Sequence, residues 1–232
     1  MIRAIVNSRE TVTLVGGGEA APDDVLDALI YGRRLVAADG GARLALQAGH
    51  VPEAVIGDFD SISAEDRAAI PPERFFQINE QDSTDFDKAL RNVSAPLVLA
   101  VGFLGARVDH QLAAFHTLVR HPDRPCILVG TEDVTILAPP CLTVDLSAGD
   151  IVSLFPMGEV GGRSEGLQWP IDELRFAPDD RIGTSNRATG KVTLSFDTPR
   201  MLLILPRARL PQLIEALPPQ TWPKPAPRSA RA

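Results

Sequence analysis

The sequence predicts an α/β fold in which a parallel sheet with helices on both faces is followed by a smaller all-β domain. Three observations lead there. Between residue 11 and about residue 137, short β-branched runs alternate with segments of helical period. Successive runs end in glycine or aspartate. After "APP" at 138–140 the helical pattern stops and strand-like runs follow one another.

The elements follow in order. "TVTLVGGG" opens as a strand, and the segment from Pro22 to Gly32 predicts a helix: proline stands near its first turn, Asp23 and Asp24 at its positive end, and Val25, Leu26, Leu29 and Ile30 on one face. "RLVAAD" is a strand, "GARLALQAG" a helix, "AVIGD" a strand, and "SAEDRAAI" a helix capped by Ser63 with Asp66 three residues on. The strand "RFFQIN", a helix from Ser83 to Val93, the strand "PLVLAVG", a helix from Val108 to His121 and the strand "CILVG" complete the first domain, residues 1–137. The second domain, 141–217, holds the strands "CLTVDLSA", "DIVSLFPM", "KVTLSFD" and "RMLLILP", with no amphipathic helix expected among them. Residues 218–232 are proline-rich and poor in apolar side chains, which predicts a disordered tail.

Composition narrows the function. With 232 residues and 44% hydrophobic side chains, the chain can bury a full core. A net charge of −7 and a pI near 5.1 provide no broad basic face, which argues against nucleic acid or an anionic membrane as partner. Two cysteines spell neither a disulfide framework nor a zinc site, and Cys126 in "PCILVG" reads as a buried strand residue. The start "MIRAIVNSRE" lacks a signal-peptide core and the longest apolar runs are strand-sized, so a cytoplasmic location is expected.

In an open parallel sheet, ligands bind beyond the carboxyl ends of the strands, and the unusual residues fall there. Gly16, Gly17 and Gly18 follow the first strand; Asp39, Gly40 and Gly41 the second; Asp58 and Asp60 the third; Asp82 and Asp85 the fourth; Gly102, Gly105, Arg107 and Asp109 the fifth. Taken singly, a triple glycine is a tight turn, an aspartate at a helix start is a cap, and Lys88 three residues after Asp85 is a surface ion pair. The pair Asp58 and Asp60 resists such a reading, because alternate residues of an extended segment point the same way and their charges repel. A hard divalent cation resolves this: Mg²⁺ takes oxygen ligands from one or two carboxylates together with substrate phosphates. Glycine loops let backbone amides approach those phosphates, and Arg107 or Lys88 would neutralise a transferring group. The residues alone thus spell a metal-assisted nucleotide or phosphoryl-transfer site without a Walker A or protein-kinase signature.

The ordered set "DGGA", "GDFDSI", "QDSTDFDKAL" and "GARVDHQLA", with "SEGLQWPI" and "GTSN" further on, closely resembles the thiamine pyrophosphokinases over residues 12 to 205. The resemblance implies an α/β ATP-binding domain followed by a thiamine-binding β-sandwich, working as a homodimer with active sites at the subunit interface. It implies transfer of the diphosphoryl group of MgATP to the hydroxyl of thiamine, giving thiamine diphosphate and AMP. Asp58, Asp60, Asp85 and Asp109 correspond to the acidic set that holds Mg²⁺; Arg107 and Lys88 balance phosphate charge. Asp82 and Thr84 belong to the same motif as Asp85, and Gly17, Gly18, Asp39, Gly40, Gly41 and Gly105 resemble the nucleotide-binding wall. His110 either holds a helix start or contacts phosphate; Trp169 resembles the platform on which the thiamine pyrimidine stacks, with Ser185 and Asn186 as its polar partners. His50, His116 and His121 have no such context. Two other readings compete: a metal-dependent nucleotide phosphohydrolase, and a non-catalytic thiamine- or nucleotide-binding regulator. Neither accounts for "GLQW" and "GTSN" in the second half.

Overall fold

The computed structural model describes residues 4–105 and 107–217. The chain runs β1 (Val6–Asn7), β2 (Val12–Val15), α1 (Pro22–Leu29), β3 (Arg34–Ala38), α2 (Gly41–Gln47), β4 (Ala54–Gly57), α3 (Ala64–Ala68), β5 (Phe75–Gln77), α4 (Asp85–Asn92), β6 (Val93–Ser94), β7 (Val98–Val101), α5 (Val108–Arg120) and β8 (Cys126–Val129). It continues through β9 (Asp133–Leu137), β10 (Cys141–Val144), β11 (Ile151–Pro156), β12 (Val160–Leu167), β13 (Arg175–Phe176), β14 (Thr184–Phe196), β15 (Met201–Pro206) and α6 (Leu210–Ala216). The tail expected to be disordered lies outside the described residues.

The fold is mixed α/β around a large sheet. β2, β7 and β8 are parallel neighbours, as are β3, β4 and β5. β2 and β3 lie side by side, joined by a bridge between Val12 and Arg33 and by the Thr13 hydroxyl, which donates to the Gly32 carbonyl at 2.7 Å. The strands β2, β4, β7 and β8 are buried along their whole length, as expected for a sheet covered on both faces. Burying each such aliphatic side chain is worth about 1.5–3 kcal/mol.

Hydrogen bonding does not stop at the "APP" segment. β9 pairs antiparallel with β8, β15 with β9, β11 with β15 and β14 with β11, so the sheet continues into the second half. The 13-residue β14 pairs with β11 through its first residues, and further along with β10 on one side and β12 on the other. Arg207 also joins the halves: its guanidinium binds Asp24 and Asp27 of α1 and donates to the Gly130 carbonyl.

Most sequence-derived elements appear with ends shifted by a residue or two. Ser63 caps α3 as expected, accepting from the Asp66 amide. The helix expected from Ser83 begins at Asp85, because Thr84 is its cap and accepts from the Asp87 amide at 3.2 Å. The second half is not wholly β: α6, with Pro211 in its first turn, packs its buried Leu210 and Leu213 toward β10. Strands β12 and β13 escape periodicity because "VGGRSEGL" is glycine-rich and β13 has only two residues.

Helix α4, which carries Asp85 and Lys88, is fixed to α5 by a buried carboxylate. Asp87 is 3% exposed, and its Oδ1 lies 2.8 Å from His121 Nε2, with Arg91 and Arg120 each at 3.7 Å. Burial opposes the charge, but the hydrogen bond and electrostatic attraction with His121, together with the positive charges of Arg120 and Arg91, outweigh it and hold the carboxyl below the usual range. A depressed carboxyl stabilises the fold fully above its unfolded pKa of about 3.9, and the contribution is lost as pH falls through the folded value. Asp87→Asn is therefore expected to cost about 1–3 kcal/mol at pH 7 by urea denaturation, with the gap to wild type closing below about pH 4.

Candidate active site

The ends of the parallel strands bring the glycine loops into contact. A Cβ on Gly16 or Gly18 would lie 2.6 Å from the Gly102 carbonyl oxygen, and one on Gly41 would lie 2.1 Å from that of Val15. The loops after β2, β3 and β7 can meet only with no side chain between them. Gly17 faces the Gly40 backbone, and the Gly105 amide donates to Gln111 Oε1 at 3.2 Å, tying the last loop to α5. Phe103 of that loop packs against Phe86 of α4, ring centroids 4.4 Å apart. These loops border the acidic residues.

Asp39 stands directly after β3 with φ +42°, 2% exposed, and neither carboxylate oxygen has a hydrogen-bond partner. Gly57 in the next strand makes room for it, since a Cβ there would lie 2.8 Å from the Asp39 Cβ. Asp58 follows β4; its Oδ1 is likewise buried without a partner, while Oδ2 accepts from Lys88 Nζ at 2.8 Å. Asp60 is exposed and accepts from the Ser61 hydroxyl at 2.8 Å. One carboxylate oxygen each from Asp39, Asp58 and Asp60 lies within 4.8 Å of the other two. Burial first, then the negative charge of Asp85, raises the Asp39 carboxyl above the usual range; the nearby Ser61 hydroxyl opposes this rise, and the charges of Asp60 and Asp58 add to it. Three converging oxygen donors, two of them with buried unsatisfied atoms, suit a hard divalent cation.

Lys88 is the fixed positive charge of this site. Its ammonium also donates to Asp85 Oδ1 at 3.1 Å, and its side chain is 3% exposed, so it is no surface ion pair. Burial lowers its pKa, but hydrogen bonds to Asp58 and Asp85 prevail and raise it, so it stays an ammonium. The same bond to Lys88 is the main reason that the Asp58 carboxyl falls below the usual range.

Of the four acidic residues expected at the site, Asp58 and Asp60 converge in space, and Asp39 joins them. Asp39, assigned by sequence to the nucleotide wall, stands among the three converging carboxylates, and Asp85 reaches them through Lys88. Asp109 is exposed on the first turn of α5, paired with Arg107 at 2.6 Å, and does not belong to the converging three. His110 is exposed beside them, and Asp82 is exposed before α4. Asp58 and Asp60 do not converge by strand alternation: Phe59 between them has φ +70°, a turn rather than extended chain. The sequence signal at Asp39, an aspartate between a buried strand and two glycines, placed it at the strand end but did not set it beside Asp58 and Asp60.

In the second half, Trp169 is 54% exposed rather than part of the core. Buried Asn186 clamps it: the Trp169 amide donates to Asn186 Oδ1 at 3.1 Å, and Asn186 Nδ2 donates to the Trp169 carbonyl at 2.6 Å. Ser185 is exposed on β14 opposite Ser153. Adjacent strand residues face opposite sides, so the exposed Ser185 and the buried Asn186 point to different faces of β14.

Residues 31–128 match the family described as "Thiamin pyrophosphokinase, catalytic domain", and residues 141–201 match "Thiamin pyrophosphokinase, vitamin B1 binding domain". "Thiamine pyrophosphokinase 1" of Arabidopsis thaliana is 26% identical over 175 residues, covering 67% of this chain and 66% of the relative. "Thiamine pyrophosphokinase 3" of Oryza sativa subsp. japonica is 27% identical over 154 residues, 58% of each chain. The chain thus spans somewhat under two thirds of these curated relatives. The crystal structure of thiamin pyrophosphokinase from Geobacillus thermodenitrificans superposes with a TM-score of 0.71 at 27% identity, covering 84% of this chain and 96% of that one. The Bacillus subtilis enzyme superposes with a TM-score of 0.69 at 23% identity over 85% of this chain and 99% of that one, a likeness of fold. By the two matched regions, the order of its motifs and its structural neighbours, the chain belongs to the thiamin pyrophosphokinase family.

Proposed function

We propose that the protein transfers the diphosphoryl group of MgATP to the hydroxyl of thiamine, releasing AMP and thiamine diphosphate. The observation that carries this reading is the convergence of Asp39, Asp58 and Asp60 beside glycine loops at the carboxyl edge of the sheet, in a chain of this family. We read residues up to about 137 as the nucleotide-binding domain and 141–217 as a β-sandwich for thiamine. The parallel pairing of the first half and the sharing of β14 by β10, β11 and β12 support that division.

In this reading Asp39, Asp58 and Asp60 hold Mg²⁺, which when bound supplies charge neutralisation for the polyphosphate. The loops at Gly17, Gly18, Gly40, Gly41 and Gly105 allow the phosphates close to the backbone. Lys88, kept protonated between Asp58 and Asp85, and Arg107 just before α5 counter the charge that develops on the transferring group. The thiamine oxygen attacks the β-phosphorus, the bond from that phosphorus to the α,β-bridging oxygen breaks, and AMP departs with the oxygen. The hydroxyl proton passes to a carboxylate at the site or to water. Trp169 offers its exposed ring to the pyrimidine, and Asn186 acts by fixing the Trp169 backbone. We assign Ser185 to the thiamine side, and Asp82, Thr84, Asp109 and His110 to the phosphate side.

A homodimer fits the same reading. Ile151 and Phe155, 46% and 43% exposed, share a face of β11 with Ser153, opposite Ser185, an apolar surface next to the thiamine side. No helix among the described residues is long and apolar enough to cross a membrane, and we propose a cytoplasmic enzyme.

Incubation with MgATP and thiamine, resolved by chromatography, should yield equimolar AMP and thiamine diphosphate. Asp58→Asn should lower that turnover at least a hundredfold while the protein stays folded; near-normal turnover would remove Asp58 from the site. Nucleotide breakdown independent of thiamine would favour a phosphohydrolase, and thiamine binding without turnover a regulator. Trp169→Ala should raise the thiamine KM about tenfold, on the order of 1.4 kcal/mol. Asn186→Ala should do likewise, with the ATP KM unchanged in both; an unchanged thiamine KM would separate Trp169 from the substrate.

A further inference from the structure

Three residues other than glycine have positive φ among the described residues, and two of them, Asp39 and Phe59, belong to the acidic loops. Asp39 is short and polar, a type that tolerates this backbone. Phe59 is not: a bulky residue at φ +70° is held there by what surrounds it, and glycine would adopt the same turn without strain. Its ring meets the edge of Phe75 on β5, centroids 5.3 Å apart and planes at 86°. The guanidinium of Arg67 on α3 lies over both rings, 5.5 Å from the Phe59 centroid and 5.0 Å from that of Phe75. Arg67 forms no salt bridge among the described residues. The two rings border a small apolar cluster of Ala37, Ala42, Val55 and Ile70, separate from the main core.

We propose that Phe59, Phe75 and Arg67 form a positioning device that sets the cation affinity of the acidic site. The proposal rests on the reading of Asp39, Asp58 and Asp60 as one cation site. β4 ends at Gly57, and two residues later the chain must send Asp60 back toward the point already occupied by Asp39 and Asp58. The left-handed turn at 59 does this, and the carboxylates it gathers repel one another and tend to reopen it. The Phe59 ring, clamped between strand β5 and helix α3, resists that opening. The loop thus gains through an anchored side chain what glycine cannot supply, a fixed rather than merely permitted turn. These three are positioning residues and touch no reacting atom.

The test is Mn²⁺ binding to the ligand-free protein, followed by the electron paramagnetic resonance of free Mn²⁺, with the thermal midpoint recorded for every variant. Phe59→Gly is the decisive substitution because it keeps the turn free of strain and removes only the anchor. It should weaken Mn²⁺ binding about tenfold, whereas Phe59→Tyr, which retains the ring, should bind as wild type does. Arg67→Met, at an exposed position, should weaken binding about threefold with an unchanged midpoint, and it carries the test should Phe59→Gly not fold. Wild-type affinity in folded Phe59→Gly, or in Arg67→Met should Phe59→Gly not fold, would overturn the proposal while leaving the cation site standing. Absence of Mn²⁺ binding to the wild-type protein would overturn the cation site and this inference with it.

Discussion

Three carboxylates drawn to one point, with both oxygens of Asp39 and one of Asp58 buried and unpartnered, form a costly arrangement. Burying such groups without partners disfavours the folded state, and their mutual repulsion adds to the cost. Much of the first half can be understood as holding them there. The parallel strands fix the ends of β3 and β4 side by side, Gly57 leaves space for Asp39, and Lys88 is brought in from α4 to neutralise Asp58 and Asp85. Helix α4 is in turn held by Thr84 at its start and by Asp87 against α5. One lysine against four carboxylates leaves a negative site, the kind of deficit that a divalent cation with a polyphosphate would use.

Among the described residues of the second half, no charged side chain is fully buried. Asn186 offers one donor and one acceptor to the two free backbone groups of Trp169, replacing the strand pairing that an exposed tryptophan lacks. The sheet that runs from β2 through β7, β8, β9, β15 and β11 to β14 carries this clamp, and the three-stranded sheet β3-β4-β5 that bears the acidic loops lies against its β2 edge. Arg207, reaching from the end of β15 to Asp24 and Asp27, links the two halves.

The alternation of strands and helices was legible because fully buried strands are apolar runs and their helices carry a regular face. Ser63 and the start of α1 were legible from local capping chemistry. The short strands and α6 were not, because glycine-rich or two-residue segments have no period and α6 owes its burial to contacts with β10. Of the residues proposed for the site, Asp58, Asp60, Asp85 and Lys88 stand in motifs that the sequence displays. Asp39 could not be ranked with them, since its burial depends on Gly57 in a neighbouring strand. The left-handed turn at Phe59 and the Asp87–His121 contact join residues from separate elements, which no local pattern encodes.

The most direct measurement of the central claim is the thermal midpoint of the wild-type protein and of Asp39→Asn at neutral pH, each with and without Mg²⁺. If the three carboxylates are one cation site, removing the Asp39 charge raises the midpoint of the metal-free protein, and Mg²⁺ stabilises only the wild type. An Asp39→Asn protein that is less stable without metal, yet gains as much from Mg²⁺ as the wild type does, would contradict it.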